Sequence, residues 1–263
     1  MTAFESLGRR VTDLYDSLHA GFSFLGETAV EALGMAVRPR RFRFGDFALA
    51  FQRAAFDGLT VTTGIGFLLG LILAFQSAAA LREFGAETYV ANLLAIGLFR
   101  ELGPLVTAIV LAGRTGSAFA AEIGTMKVDE ELDALATMGL PPVRFLVMPR
   151  VAAAVLAMPV LTIFTELAGL IGGSIVLQGL NVPTPVFWRS VADSTDLFMI
   201  SFGLWKSALF GLLVGLIGCG SGLRTKATAD GVGLAATAAV VGGIVAIALA
   251  DGLLAVICYV WGV

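Results

Sequence analysis

Gly58–Leu81 reads GLTVTTGIGFLLGLILAFQSAAAL, a run with no charged residue in it. At 1.5 Å per helical residue it is about 36 Å long, enough to cross roughly 30 Å of hydrocarbon. Lipid offers no partner to a bare backbone N–H or C=O, so a lone segment at that depth must be helical. The rest of the chain agrees with this reading. Of its 263 residues 57% are hydrophobic and 14% charged, against about 25% charged in soluble domains. Mean hydropathy is +0.90. The composition predicts an all-α membrane protein.

Four more apolar stretches follow, at about 90–118, 150–178, 198–222 and 232–261. Each carries isolated charges: Arg100, Glu101 and Arg114 in the second span, Glu166 in the third, Lys206 in the fourth and Asp251 in the fifth. Pro104 and Pro159 lie inside spans, where membrane helices tolerate them. Before the first span, Leu7, Val11, Leu14, Leu18, Phe22, Leu25, Ala29 and Leu33 recur at helical spacing among too many charges for a crossing. Residues 1–45 are read as an amphipathic interfacial helix with a basic linker, RPRRFRF at 38–44, and 46–263 as the transmembrane domain. The early acidic residues and the lack of a compact apolar region argue against a signal peptide.

Seven arginines precede the first span (Arg9, Arg10, Arg38, Arg40, Arg41, Arg43 and Arg53), while the loop after it offers only Arg82 beside Glu83 and Glu87. The loop between the second and third spans has Lys127 and Arg144, and the last loop Arg224 and Lys226. Basic residues stay on the cytoplasmic side. Five spans with the N-terminus in the cytoplasm and the C-terminus outside fit every loop.

That orientation puts AEIGTMKVDEELDALATMGLPP, Ala121–Pro142, in the cytoplasm. Asp129 to Met138 is about 15 Å of helix, too short to cross. Leu132, Leu135 and Met138 share one face, Asp129, Glu130 and Asp133 largely another, and Gly139 with Pro141 and Pro142 ends the helix. Two roles fit: docking into a partner's groove, or a solvated connection between spans.

Charges at the middle of a span cost roughly 2.5–3.5 kcal/mol each on insertion scales and persist where they pair or face a polar cavity. Arg100 and Glu101 stand about 100° apart on a helix, so they need not pair with each other. Contact with a lipid headgroup or a lock onto another span are the two readings. Lys206 suits a lipid phosphate, or a pair with Glu101 or Glu166; Asp251 is expected to meet a cation or hydroxyl on a neighbouring helix. Gly66–Gly70, Gly169–Gly173, Gly211–Gly215 and Gly218–Gly222 permit close helix approach without showing which pairs meet.

Several activities are excluded. No Walker A sequence is present, and GVGLAA at Gly231–Ala236 opens an apolar span rather than following a strand. The single histidine, His19, precedes the spans, and Cys219 and Cys258 lie in apolar runs, which supports neither a metal site nor a disulfide framework. The chain is not read as an enzyme and is expected to bind no cofactor itself. A gradient-driven transporter relaying through Glu101, Lys206 and Asp251 is the rival reading; it predicts an internal repeat that five spans do not display.

RELGP at Arg100–Pro104, AGRTGSAFAAEIGTMKVDEELDAL at Ala112–Leu135 and the pair Pro149–Arg150 resemble the MlaE/YrbE permeases, the membrane subunits of lipid-transporting ABC systems that work with MCE proteins. The resemblance implies a homodimer in a bacterial inner membrane, with ATP used by a separate cytoplasmic ATPase. It implies an MCE-domain hexamer outside, in some complexes a small STAS-domain protein on the ATPase, and phospholipid in a cavity between the permeases. By the same resemblance Asp129, Glu130, Leu132, Asp133 and Leu135 belong to a helix that couples to the ATPase. Leu81, Phe84, Arg100, Glu101 and Lys206 fall on the lipid pathway, while Arg114, Glu166 and Asp251 are structural intramembrane charges.

Overall fold

The computed structural model describes residues 19, 21–35, 43–86 and 89–261. All regular structure among them is helical. We number the helices α1 (21–35), α2 (Phe44–Arg82), α3 (Val90–Val128), α4 (Glu131–Thr137), α5 (Val143–Gly179), α6 (Thr184–Ser194), α7 (Leu197–Leu223) and α8 (Ala229–Trp261). Five of them, α2, α3, α5, α7 and α8, are long and apolar enough to cross a membrane. The chain is a multi-pass membrane protein.

The spans run beyond the apolar stretches that announced them. Helix α3 carries 39 residues, about 58 Å of rod, against the roughly 30 Å a bilayer core requires. It is not uniform: Leu98–Leu102 and Ala112–Gly116 are π-helical turns, and a third π turn, Val143–Val147, opens α5. Helix α5 is the most enclosed, with Pro159 accommodated inside it. Helix α2 lies along α5, α7 packs between α5 and α8, and α3 touches all four.

Close approach rests on the small residues. A β-carbon on Gly66 or Gly70 would overlap the α5 backbone at Thr165 and Gly169. On Gly211 it would sit 2.6 Å from the Ala154 carbonyl oxygen, and on Gly218 2.7 Å from that of Gly116. The GxxxG pairs on α2 and α7 are thus used within one chain, α2 against α5 and α7 against α3 and α5. Gly70→Leu is expected to lower stability by at least the ~1–3 kcal/mol of ordinary overpacking, since backbone cannot yield as a side chain does. Gly64, with nothing within 4 Å of its added β-carbon, should accept leucine with an unchanged melting temperature in detergent.

One feature departs from the sequence reading. The segment 179–197, left between the third and fourth apolar stretches, contains α6, whose Phe187 and Val191 are buried against α3 and α5 while Arg189 and Asp193 are exposed. The i, i+4 pair behind the Pro183–Pro185 start was the available signal. Of the expected N-terminal helix, residues 19 and 21–35 are described; the part before residue 19, and Arg38, Arg40 and Arg41 of the basic linker, lie outside the described residues. In α1, Phe24 packs on the bundle beside Gly220, and Phe22, Leu25, Val30 and Leu33 are exposed.

Candidate functional site

The intramembrane charges converge from three helices. Arg100 and Glu101 sit on the first π turn of α3, Lys206 on α7 and Asp251 on α8. Lys206 is completely buried, so its ammonium must find partners within the protein. It has three N–H donors. Nζ pairs with Glu101 Oε2, lies 2.6 Å from Asp251 Oδ1, and reaches the Arg100 carbonyl oxygen at 3.4 Å. The Phe210 ring stands 5.9 Å away on the next turn of α7. One cation thus ties three spans together, against two carboxylates.

Glu101 and Arg100 diverge, as adjacent residues on a helix must. Glu101 turns to Lys206, whereas Arg100 lines a cavity of about 260 Å³ with Asp196, Phe198, Met199, Phe202 and Cys258. Phe198, Phe202 and Trp205 stack in succession along α7, with centroids 6.3 and 6.0 Å apart. The cavity is therefore aromatic on one wall and carries opposite charges at Arg100 and Asp196. Leu81 and Phe84 do not line it. Leu81 packs on the buried cluster of α2, α3, α5 and α6, and Phe84, in the turn after α2, is 80% exposed.

Glu166 stays apart from this node. It is buried on α5 against Gly103, where an added β-carbon would lie 2.6 Å from its Cγ, and it makes no ion pair with any described residue. Beside it Thr107 of α3 donates to Thr165 of α5 at 2.9 Å. Of the two partners considered for Lys206, Glu101 is the one found, and Asp251 supplies the other.

A second ionic cluster, which sequence reasoning did not assemble, ties the opposite ends of the spans. Glu122 of α3 accepts from Arg53 of α2 at 3.1 Å through Oε1 and from Arg150 of α5 at 3.0 Å through Oε2. Arg150 also donates to the Leu146 carbonyl, and Lys127 to the Leu223 carbonyl at the end of α7, 2.7 Å away. Arg114 is exposed on the second π turn and makes no side-chain pair among the described residues.

The model of the permease MlaE family matches residues 47–257. The chain belongs to the MlaE permease family. Relatives across bacteria agree. A protein of Synechocystis named as a probable ABC transporter permease is 42% identical over 184 residues, 70% of each chain. A Rickettsia bellii protein similarly named is 33% identical over 95% of each chain. The intermembrane phospholipid transport system permease protein MlaE of Haemophilus influenzae is 34% identical over 90% of this chain and 89% of its own.

In this member of the MlaE family, the helix after α3 is shorter than its sequence suggests. Glu130 takes a left-handed φ of +59°, which breaks α3 from α4, and Gly139 at +73° ends the segment with its C-terminal turn closed by Leu140 N–H to Leu135 C=O. Leu132 is buried and Leu135 half-buried against Phe119, Ile123, Val143 and Val147. Two turns of helix laid across the ends of α3 and α5 have little choice but to seat their leucines there. Asp129, Glu130, Glu131 and Asp133 are left exposed, with Met138 beyond them. Of the apolar face, Leu132 and Leu135 are thus turned into the protein's own core and Met138 is not.

Proposed function

We propose that this permease is the membrane subunit of an ABC transporter that moves phospholipid between a bacterial inner membrane and a periplasmic MCE protein. The observation that carries the reading is the continuity of α3. One rod bears the Arg100–Glu101 turn at one end, and beyond Glu122 it leads directly into the acidic helix α4. A displacement at α4 has a rigid path to the charged node.

In this reading the N-terminus is cytoplasmic and the C-terminus periplasmic, and the exposed apolar side of α1 lies among headgroups. Two copies form the permease. A separate ATPase binds ATP and receives Asp129, Glu130 and Asp133, while Leu132 and Leu135 hold the helix to the permease. Outside stands an MCE-domain hexamer; a STAS-domain protein on the ATPase would complete some assemblies. Lipid occupies a cavity that Arg100 lines, with Glu101 and Lys206 paired beside it, and Leu81 and Phe84 join its wall where the two copies meet. Arg114, Glu166 and Asp251 serve structure. ATP-driven closure shifts α4, and the cavity changes its affinity for lipid between the two states, as any net movement requires.

Affinity purification from native membranes in mild detergent, with mass spectrometry of what accompanies the tagged chain, tests the class. An ATPase and an MCE protein should come along; a chain that purifies without any ATPase would favour the gradient-driven alternative. In complexes reconstituted in vesicles, Glu101→Ala should slow lipid transfer about tenfold or more, the cost of leaving Lys206 one carboxylate short. Transfer and ATP hydrolysis at wild-type rates would remove Glu101 from the pathway.

A further inference from the structure

Where α2 and α3 leave the apolar layer, at the end opposite the Lys206 node, two cavities lie side by side and share Arg53, Phe119 and Glu122. In the first, of about 210 Å³, the charges pair off: Arg43 with Asp46 at 2.9 Å, and Arg53 and Arg150 with Glu122. The second, of about 220 Å³, is different. Asp57 of α2 and Arg114 of α3 both line it, both are exposed, and neither side chain makes a hydrogen bond or ion pair with any described residue. A cation and a carboxylate face one cavity from neighbouring helices without reaching each other.

We propose that this cavity binds the headgroup of a zwitterionic phospholipid of the cytoplasmic leaflet, with the phosphate at Arg114 and Arg53 and the ammonium at Asp57. The assignment to that leaflet rests on the cytoplasmic N-terminus of the proposed function. Arginine offers a planar fork of donors that suits phosphate oxygens. A free phosphate would use the arginines but be repelled by Asp57, and so would a headgroup carrying a net negative charge. A headgroup with one phosphate and one amine answers both signs.

The depth and the surroundings fit an amphiphile. Asp57 immediately precedes the uncharged run Gly58–Leu81, and Arg114 stands where the apolar part of α3 gives way to polar chain. Two residues deeper on α2, Leu59 begins an open apolar groove of about 620 Å³ that continues along Thr60, Thr63, Gly64 and Phe67 to Phe164 and Ile171 of α5. An acyl chain leaving the headgroup cavity has that groove beside it. Arg114 lies 13 residues along α3 from Glu101, about 20 Å, so this site is separate from the cavity at Arg100.

The test uses the purified complex in nanodiscs of equal phosphatidylethanolamine and phosphatidylglycerol, released into detergent, with retained lipid counted by native mass spectrometry. Wild type should keep ethanolamine lipid over glycerol lipid by about fivefold, the effect of one exposed ion pair. Asp57→Asn should abolish that preference while total lipid stays nearly constant. Arg114→Gln should lower retention of both lipids, and Ala118→Trp, which fills the cavity from an exposed position and removes neither charge, should do the same. Lipid held at the outer cavity is common to all variants and cancels. An excess of inorganic phosphate should leave the retained lipid unchanged. The inference is overturned if all three variants retain both lipids as wild type does, or if phosphate displaces the lipid and Asp57→Asn strengthens that displacement, which would mark a free-anion site. ATPase recovered in the same preparations reports separately on the proposed function: headgroup selectivity without ATPase supports this site and sinks that reading, and ATPase without selectivity does the reverse.

Discussion

Lys206→Met is expected to destabilise the protein by about 3 kcal/mol, the lower end of the 3–5 kcal/mol lost when one partner of a buried ion pair is removed. The lower end applies because the two carboxylates left behind differ in exposure. Asp251 is 18% exposed and Glu101 38%, so water relieves Glu101 more than Asp251. Methionine keeps most of the lysine stem's packing against Phe210, which confines the loss to charge. The companion variant Lys206→Met, Glu101→Gln, Asp251→Asn removes all three charges and should recover most of that stability, since replacing a whole buried ion cluster is often nearly neutral. Thermal unfolding in one detergent, followed by tryptophan fluorescence, reads both. If the single variant melts no lower than the triple one, the node does not hold α3, α7 and α8 together by charge pairing.

Reversing the exposed carboxylates of α4, Glu130→Lys with Asp133→Lys, should leave the melting temperature unchanged and cut recovery of the ATPase about a hundredfold. Like charges placed opposite one another across an interface cost several kcal/mol, and both side chains point away from the core. Leu132→Ala should behave in the opposite manner. It empties a buried position among Phe119, Ile123 and Val143 and should cost about 2 kcal/mol of stability, the low end for a helix at the margin of the core. Stable protein that still brings down its ATPase after the double reversal would show that α4 is a connection and no more. Loss of the whole fold would show that the acidic residues carry structure that their exposure does not reveal.

The spans were legible because hydrocarbon imposes a blunt requirement, about 20 apolar residues with no way to exempt one. The acidic helix was legible for the converse reason: it is too short and too polar for that environment. Pairing between spans was harder to read. Lys206 had Glu101 and Glu166 as candidates, and sequence alone could not choose, because faces on a regular 3.6-residue wheel do not hold through α3. Its π turns each carry one extra residue, which rotates the remainder of the helix about its axis. Asp251 was expected to meet a cation or hydroxyl and meets Lys206, 45 residues away along the chain. Arg53, Glu122 and Arg150 escaped for the same reason, although Glu122 and Arg150 both stand in the motifs that carried the family resemblance. The leucines of α4 were placed on the correct common face, but which way that face turned depended on helices packed beneath it. Helix α6 was hidden by two prolines and a polar composition that also describe a loop.

The π turns of α3 have a consequence for how such a chain can vary in length. Each is an α-helix carrying one surplus residue. Deleting a single residue between Gly97 and Gly103 would heal the helix and leave it fully hydrogen-bonded, and by local criteria improved. It would also turn one half of the rod about 100° against the other. Glu101 could then keep Lys206, or Glu122 could keep Arg53 and Arg150, but both meetings could not survive. The span is therefore closed to the one-residue gains and losses that its neighbouring loops absorb, and alignments of related chains should run through it without a gap.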